Sequence, residues 1–84
     1  MNIIVYVKTG CPWAAEVIRY LRSKSLSFET RNMTDHPEYK TEIENKTGQS
    51  KSPTLDIDGT FLPDAGVEEV SKFLEARAET AQTE

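Results

Sequence analysis

The chain has 84 residues, with 10 Lys+Arg against 14 Asp+Glu, a net charge of −4 and a single cysteine. That length specifies one small domain, and the acidic balance argues against general nucleic-acid binding, which needs a basic face. No apolar run approaches the roughly 18–20 residues of a membrane span; Met1-Asn2-Ile3-Ile4-Val5 lacks the flank and cleavage site of a signal peptide; and a lone cysteine, unable to close an internal disulfide, points to a reducing, cytoplasmic setting.

Ile3-Ile4-Val5-Tyr6-Val7 is an uninterrupted apolar run, the pattern of a strand buried on both faces. Lys8-Thr9-Gly10-Cys11-Pro12-Trp13-Ala14 follows. Pro12 suits the first helical position, where its missing N–H costs nothing. A helix is expected over residues 13–23, with Ala14, Val17, Ile18 and Leu21 on one face. Ser25-Leu26-Ser27-Phe28-Glu29-Thr30 alternates like a strand that reaches about Asn32. Asp35 and Glu38, at capping-box spacing, open a second helix that stops at Gly48. Pro53-Thr54-Leu55-Asp56-Ile57 reads as a strand, Asp58-Gly59 as a hairpin turn, and Thr60-Phe61-Leu62 as the returning strand. Gly66 to Arg77 forms a last helix with Val67, Val70, Phe73, Leu74 and Arg77 on one side. Residues 78–84 have no apolar face and are expected to be a frayed tail beyond a domain of residues 1–77. The order is β-α-β-α-β-β-α, an α/β fold. A right-handed crossover makes the first two strands parallel, and the hairpin makes the last pair antiparallel. The expected result is a four-stranded mixed sheet covered by helices on both faces.

Cys11 is the leading functional candidate. A thiol at a helix start sits where backbone N–H groups and the helix dipole favour the thiolate, the reactive form. Lys8, three residues earlier, adds positive charge. A half-exposed, activated sulfur is therefore expected. His36 beside Pro37 reads as a cap or surface residue. No cluster has metal-ligand spacing, so no metal is expected.

Three segments together resemble the glutaredoxin family. Lys8 to Ala14 resembles its Lys-x-x-Cys-Pro-Tyr-Cys loop. Thr47-Gly48-Gln49-Ser50-Lys51-Ser52-Pro53-Thr54 resembles its Thr-Gly-Gln-Arg-Thr-Val-Pro stretch, whose proline is cis. Ala65-Gly66-Val67-Glu68-Glu69 resembles its Gly-Gly-Cys-Asp-Asp helix start. The resemblance runs from residue 2 to about residue 77 and implies the thioredoxin-like fold in its smallest form. It further implies catalysis by Cys11 and a cis Ser52–Pro53 bond. It implies glutathione contacts from Lys8, Pro12, Trp13, Lys40, Lys51, Ser52, Pro53, Gly66, Val67 and Glu68. In that set Lys40 and Lys51 face a carboxylate, the Ser52 backbone N–H and C=O pair with a peptide-like ligand, the Gly66–Val67 helix start takes a carboxylate, and Glu68 meets an ammonium.

The sequence departs from the family pattern at several positions. Ala14 occupies the place of the second cysteine, Ser50 that of an arginine, and Ala65 that of a glycine. The connection Leu62-Pro63-Asp64 is about two residues longer. Losing the second cysteine removes dithiol chemistry. The implied function is glutathione-dependent thiol–disulfide exchange by a monothiol route, with glutathione as co-substrate and glutathionylated proteins as partners of a monomer. Two alternatives stay open. One is a redox-silent or trapping chain, Ala14 being either natural or a deliberate Cys-to-Ala change. The other is an iron–sulfur carrier using Cys11 and glutathione; Pro12 makes this loop stiffer than the Cys-Gly-Phe-Ser loop of that type.

Overall fold

A computed structural model describes residues 1–83, and side chains as far as Arg77. Its elements are β1 (Ile3–Val7), α1 (Pro12–Ser23), β2 (Glu29–Asn32), α2 (Pro37–Thr47), β3 (Thr54–Ile57), β4 (Thr60–Leu62) and α3 (Val67–Thr83). The sheet order is β2-β1-β3-β4. β1 runs parallel to β2 and antiparallel to β3, and β3 runs antiparallel to β4. This is the expected α/β architecture.

The apolar run of β1 is explained by its central place. Side chains alternate between the two faces of a strand. Ile3 and Val5 join Leu55 and Ile57 beneath α1 and α3, which contribute Val17, Leu21, Val70 and Leu74. Ile4 and Tyr6 point the other way, toward Met33 and Ile43 of the α2 side. The β3–β4 turn has positive φ at both Asp58 (51°) and Gly59 (90°), the backbone that tight hairpins need. Gly48 closes α2 with φ 80°.

Three expectations shift. β2 begins at Glu29, not Ser25: Ser25 takes φ 56° and the Leu26 N–H bonds back to the Leu21 carbonyl at 3.1 Å, finishing the α1 turn. Leu26 and Phe28 still pack on the core, so the alternation marked burial without strand pairing. The capping box at Asp35 does not form. His36 is the N-cap of α2 without a side-chain bond, and the Asn32 carboxamide oxygen takes the Thr34 and Asp35 N–H groups instead. Helix α3 runs on to Thr83 through a stretch rich in good helix formers and free of Gly and Pro. The side chains of the expected tail, and Glu84 entirely, lie outside the described residues.

Candidate active site

The site is built where β1 hands the chain to α1. Cys11 is the N-cap of α1, with φ −82° and ψ 111°. Its N–H donates to the Lys8 carbonyl at 3.3 Å, and its carbonyl accepts the Ala15 N–H at 3.2 Å, so the loop is closed on both sides of the thiol. The side chain is half-buried.

Ser52 holds this loop from across the sheet. Its hydroxyl accepts the Lys8 N–H at 3.0 Å, and its backbone carbonyl accepts the Cys11 thiol at 3.6 Å. The Ser52–Pro53 bond is cis, as the family resemblance implied. On the opposite side the Thr9 N–H donates to Thr34 Oγ1 at 3.1 Å, and Asn32 Nδ2 donates to Thr9 Oγ1 at 3.2 Å. The third wall is tied down by buried Thr54. Its hydroxyl donates to the Lys51 carbonyl at 2.6 Å and accepts the Asp64 N–H at 3.4 Å, while the Ala65 N–H donates to the Pro53 carbonyl at 2.9 Å.

Together these segments enclose an open groove of about 580 Å³. Lys8, Thr9, Gly10, Cys11, Pro12 and Trp13 line one side; Lys51, Ser52, Pro53, Asp64 and Gly66 line the other. Trp13, 63% exposed, is a ready apolar wall for a ligand. Seven residues implied by the resemblance thus surround Cys11: Lys8, Pro12, Trp13, Lys51, Ser52, Pro53 and Gly66.

Three others do not line the groove. Lys40 is exposed on α2, the helix that covers the other face of the sheet. Val67 packs against the core. Glu68 is exposed and pairs with Lys72 at 3.3 Å, one turn along α3. The Ser52 carbonyl, expected to be free for a ligand, is occupied by the thiol. Conversely, Thr9, Gly10 and Asp64 line the groove and were not singled out in the sequence. Asp64 was visible only as part of the lengthened connection, and its place follows from tertiary contacts with Thr54. Ala14 is 3% exposed and lies just inside α1, so the position of a second thiol carries none. Among the described residues no three His, Cys, Asp or Glu side chains group as a metal site.

A cysteine at the start of the first helix, facing a cis-proline loop on a four-stranded mixed sheet, is the arrangement of the thioredoxin-like fold. The thioredoxin-like protein BC3987 superposes with TM-score 0.76 at 20% identity, over 83% of this chain and 96% of that one. The glutaredoxin of Brucella melitensis superposes with TM-score 0.68 at 22% identity, over 98% and 86% of the two chains. The family model for glutaredoxin matches residues 3–62. An uncharacterised glutaredoxin-like 8.6 kDa protein from the rubredoxin operon of Clostridium pasteurianum is 30% identical over 73 residues, 87% of this chain and 97% of its own. The chain belongs to the glutaredoxin family.

Proposed function

We propose that this protein is a glutathione-dependent thiol–disulfide oxidoreductase that works through Cys11 alone. The observation that carries the reading is the pairing of one groove-lining thiol with a buried Ala14 where a second thiol would resolve the reaction. The groove suits a small zwitterionic peptide. Lys8 and Lys51 offer cations to its carboxylates, Asp64 offers an anion to its ammonium, and Trp13 and Pro53 offer apolar surface.

The Cys11 thiolate attacks the glutathionyl sulfur of a mixed disulfide, because the thiolate is the attacking species. A bond forms between Cys11 Sγ and that sulfur, the original disulfide breaks, and the partner leaves as a thiolate that takes up a proton. Reduced glutathione, as its thiolate, then attacks the glutathionyl sulfur on Cys11. Oxidised glutathione departs and the Cys11 thiolate returns. The net change is one mixed disulfide and one glutathione to one free thiol and one oxidised glutathione. Ionisation of Cys11 also breaks its bond to the Ser52 carbonyl, which becomes free to accept an N–H from the bound peptide.

The test is turnover of a small glutathionylated disulfide in reduced glutathione, wild type against Cys11→Ser. A two-step exchange pattern that vanishes in the variant is expected. Equal rates for the two proteins would refute the proposal.

A further inference from the structure

Cys11 borders a second recess as well as the groove. This recess, of about 450 Å³, lies on the other side of the 8–12 loop, between α1 and the ends of β1 and β2. Its wall is mostly apolar: Val7, Pro12, Ala14, Ala15 and Ile18. Its polar side chains are Lys8 and a carboxamide–hydroxyl pair, Asn32 and Thr9, bonded to each other at 3.2 Å; no carboxylate is among its lining. Ile18 is the informative member. Its spacing assigns it to the core face of α1, yet the buried positions of that helix are Ala14, Val17 and Leu21, and Ile18 stays half-exposed beside the thiol.

The geometry points to this recess as the subsite for an apolar side chain of the protein half of the substrate, adjoining the cysteine that carries glutathione. The inference rests on the monothiol reading above. A mixed disulfide has two halves, and the polar groove with its two lysines and Asp64 matches the glutathionyl half. The other half must leave along a different direction. Attack is directed along the disulfide, so the departing sulfur lies beyond the glutathionyl sulfur and not in the recess itself. The substrate chain attached to that sulfur advances about 3.3 Å per extended residue, so a side chain one or two residues away reaches back over Pro12 to Ile18. With Asn32 and Thr9 already paired and Lys8 the remaining charged group of the lining, a cationic side chain entering the recess would lose water and meet a like charge, and an apolar one would gain by burial.

The experiment uses two short peptides, identical except that the glutathionylated cysteine is flanked by leucines or by lysines. The expected result is faster turnover of the leucine peptide, by about tenfold, from one buried side chain. Ile18→Ser and Ile18→Asn should remove that preference while leaving turnover of a small non-peptide glutathionyl disulfide unchanged; the position is outside the fully buried core. Equal rates for the two peptides, or variants that slow the small disulfide equally, overturn the inference while the monothiol reading stands. A second arm needs no glutathione. Each peptide, activated as its 2-thiopyridyl disulfide, reacts with Cys11 as the pyridinethiol leaves, giving a peptide–Cys11 disulfide. Amide shifts at Ala15, Ile18 and Val7 for the leucine peptide alone support the subsite even if glutathione turnover fails. Shifts elsewhere refute it. So do shifts at the recess that depend on protein concentration without peptide, since they would mean that a second copy of the chain occupies it.

Discussion

Ala14→Cys is the sharpest structural test of the proposed monothiol route. With a rise of about 1.5 Å per residue and a radius of about 2.3 Å, Cα atoms three apart on a helix lie about 5 Å from one another. A disulfide needs roughly 4.4–6.8 Å. The first turn is closed here by the 3.2 Å bond from Ala15 N–H to the Cys11 carbonyl, and Cys11 and Ala14 border the same recess, so the introduced sulfur has room. Closing a four-residue loop removes unfolded-state entropy worth about 2 kcal/mol at 25 °C. For a domain of this size that raises Tm by roughly 8–16 °C on oxidation. The assay combines a count of free thiols after mild oxidation with thermal melts of the oxidised and reduced variant. No free thiols and a higher melt are expected, together with new activity on disulfides between proteins, because the second thiol resolves the mixed disulfide within the molecule. Two free thiols after oxidation, or a bond that lowers Tm, would refute the geometry.

Other outcomes follow from the same structure. Leu55→Ala, at a fully buried position between β1 and β4, should cost about 2–5 kcal/mol in urea unfolding; a loss under about 1 kcal/mol would mean the core is not packed there. Tyr6 donates its hydroxyl to Glu42 at 2.7 Å and accepts Arg31 at 3.1 Å, and Tyr6→Phe should cost about 1.5–3 kcal/mol at pH 7. Burial, and then the bond to Glu42, pushes the Tyr6 phenol from 10.0 up to about 12. Folding therefore favours the protonated phenol, so this stability is complete below the ordinary value and is lost as pH rises through about 12. The gap in urea midpoint between wild type and Tyr6→Phe should shrink over that window, and a constant gap would contradict it. The Asn2 N–H bond, and also Arg77, hold the Asp58 carboxyl below its ordinary 3.8. Its contribution is present above the ordinary value and lost as pH falls through the folded one, so the protection of the Asn2 amide, measured against its intrinsic exchange rate at each pH, should fall in acid, and Asp58→Ala should remove that protection at neutral pH already.

What the sequence disclosed was what local chemistry decides. Pro12 at the start of α1, Gly48 at the end of α2 and Asp58-Gly59 in the hairpin each need only their own backbone conformation, and each sits where its residue type places it. The two-faced burial of β1 followed from an unbroken apolar run. Positions decided by distant partners were not legible. Asn32 displaced the Asp35 cap because it bonds forward to the α2 entry and back to Thr9. Asp64 reached the groove through Thr54, ten residues away. Tyr6 read as an ordinary strand residue, since Arg31 and Glu42 lie 25 and 36 residues from it. Of the contacts the family motif implies, Lys8, Trp13, Lys51, Ser52, Pro53 and Gly66 line the groove with Cys11. Lys40, exposed on α2, and Glu68, paired with Lys72, are not among its lining residues.

The proposed exchange of Cys11 with glutathione is checked by mass spectrometry of the folded protein after incubation with oxidised glutathione, with Cys11→Ser as control. One glutathionyl group on Cys11, absent from the variant and removed by reduced glutathione, is the expected result. A Cys11 that remains a free thiol in oxidised glutathione would contradict the account.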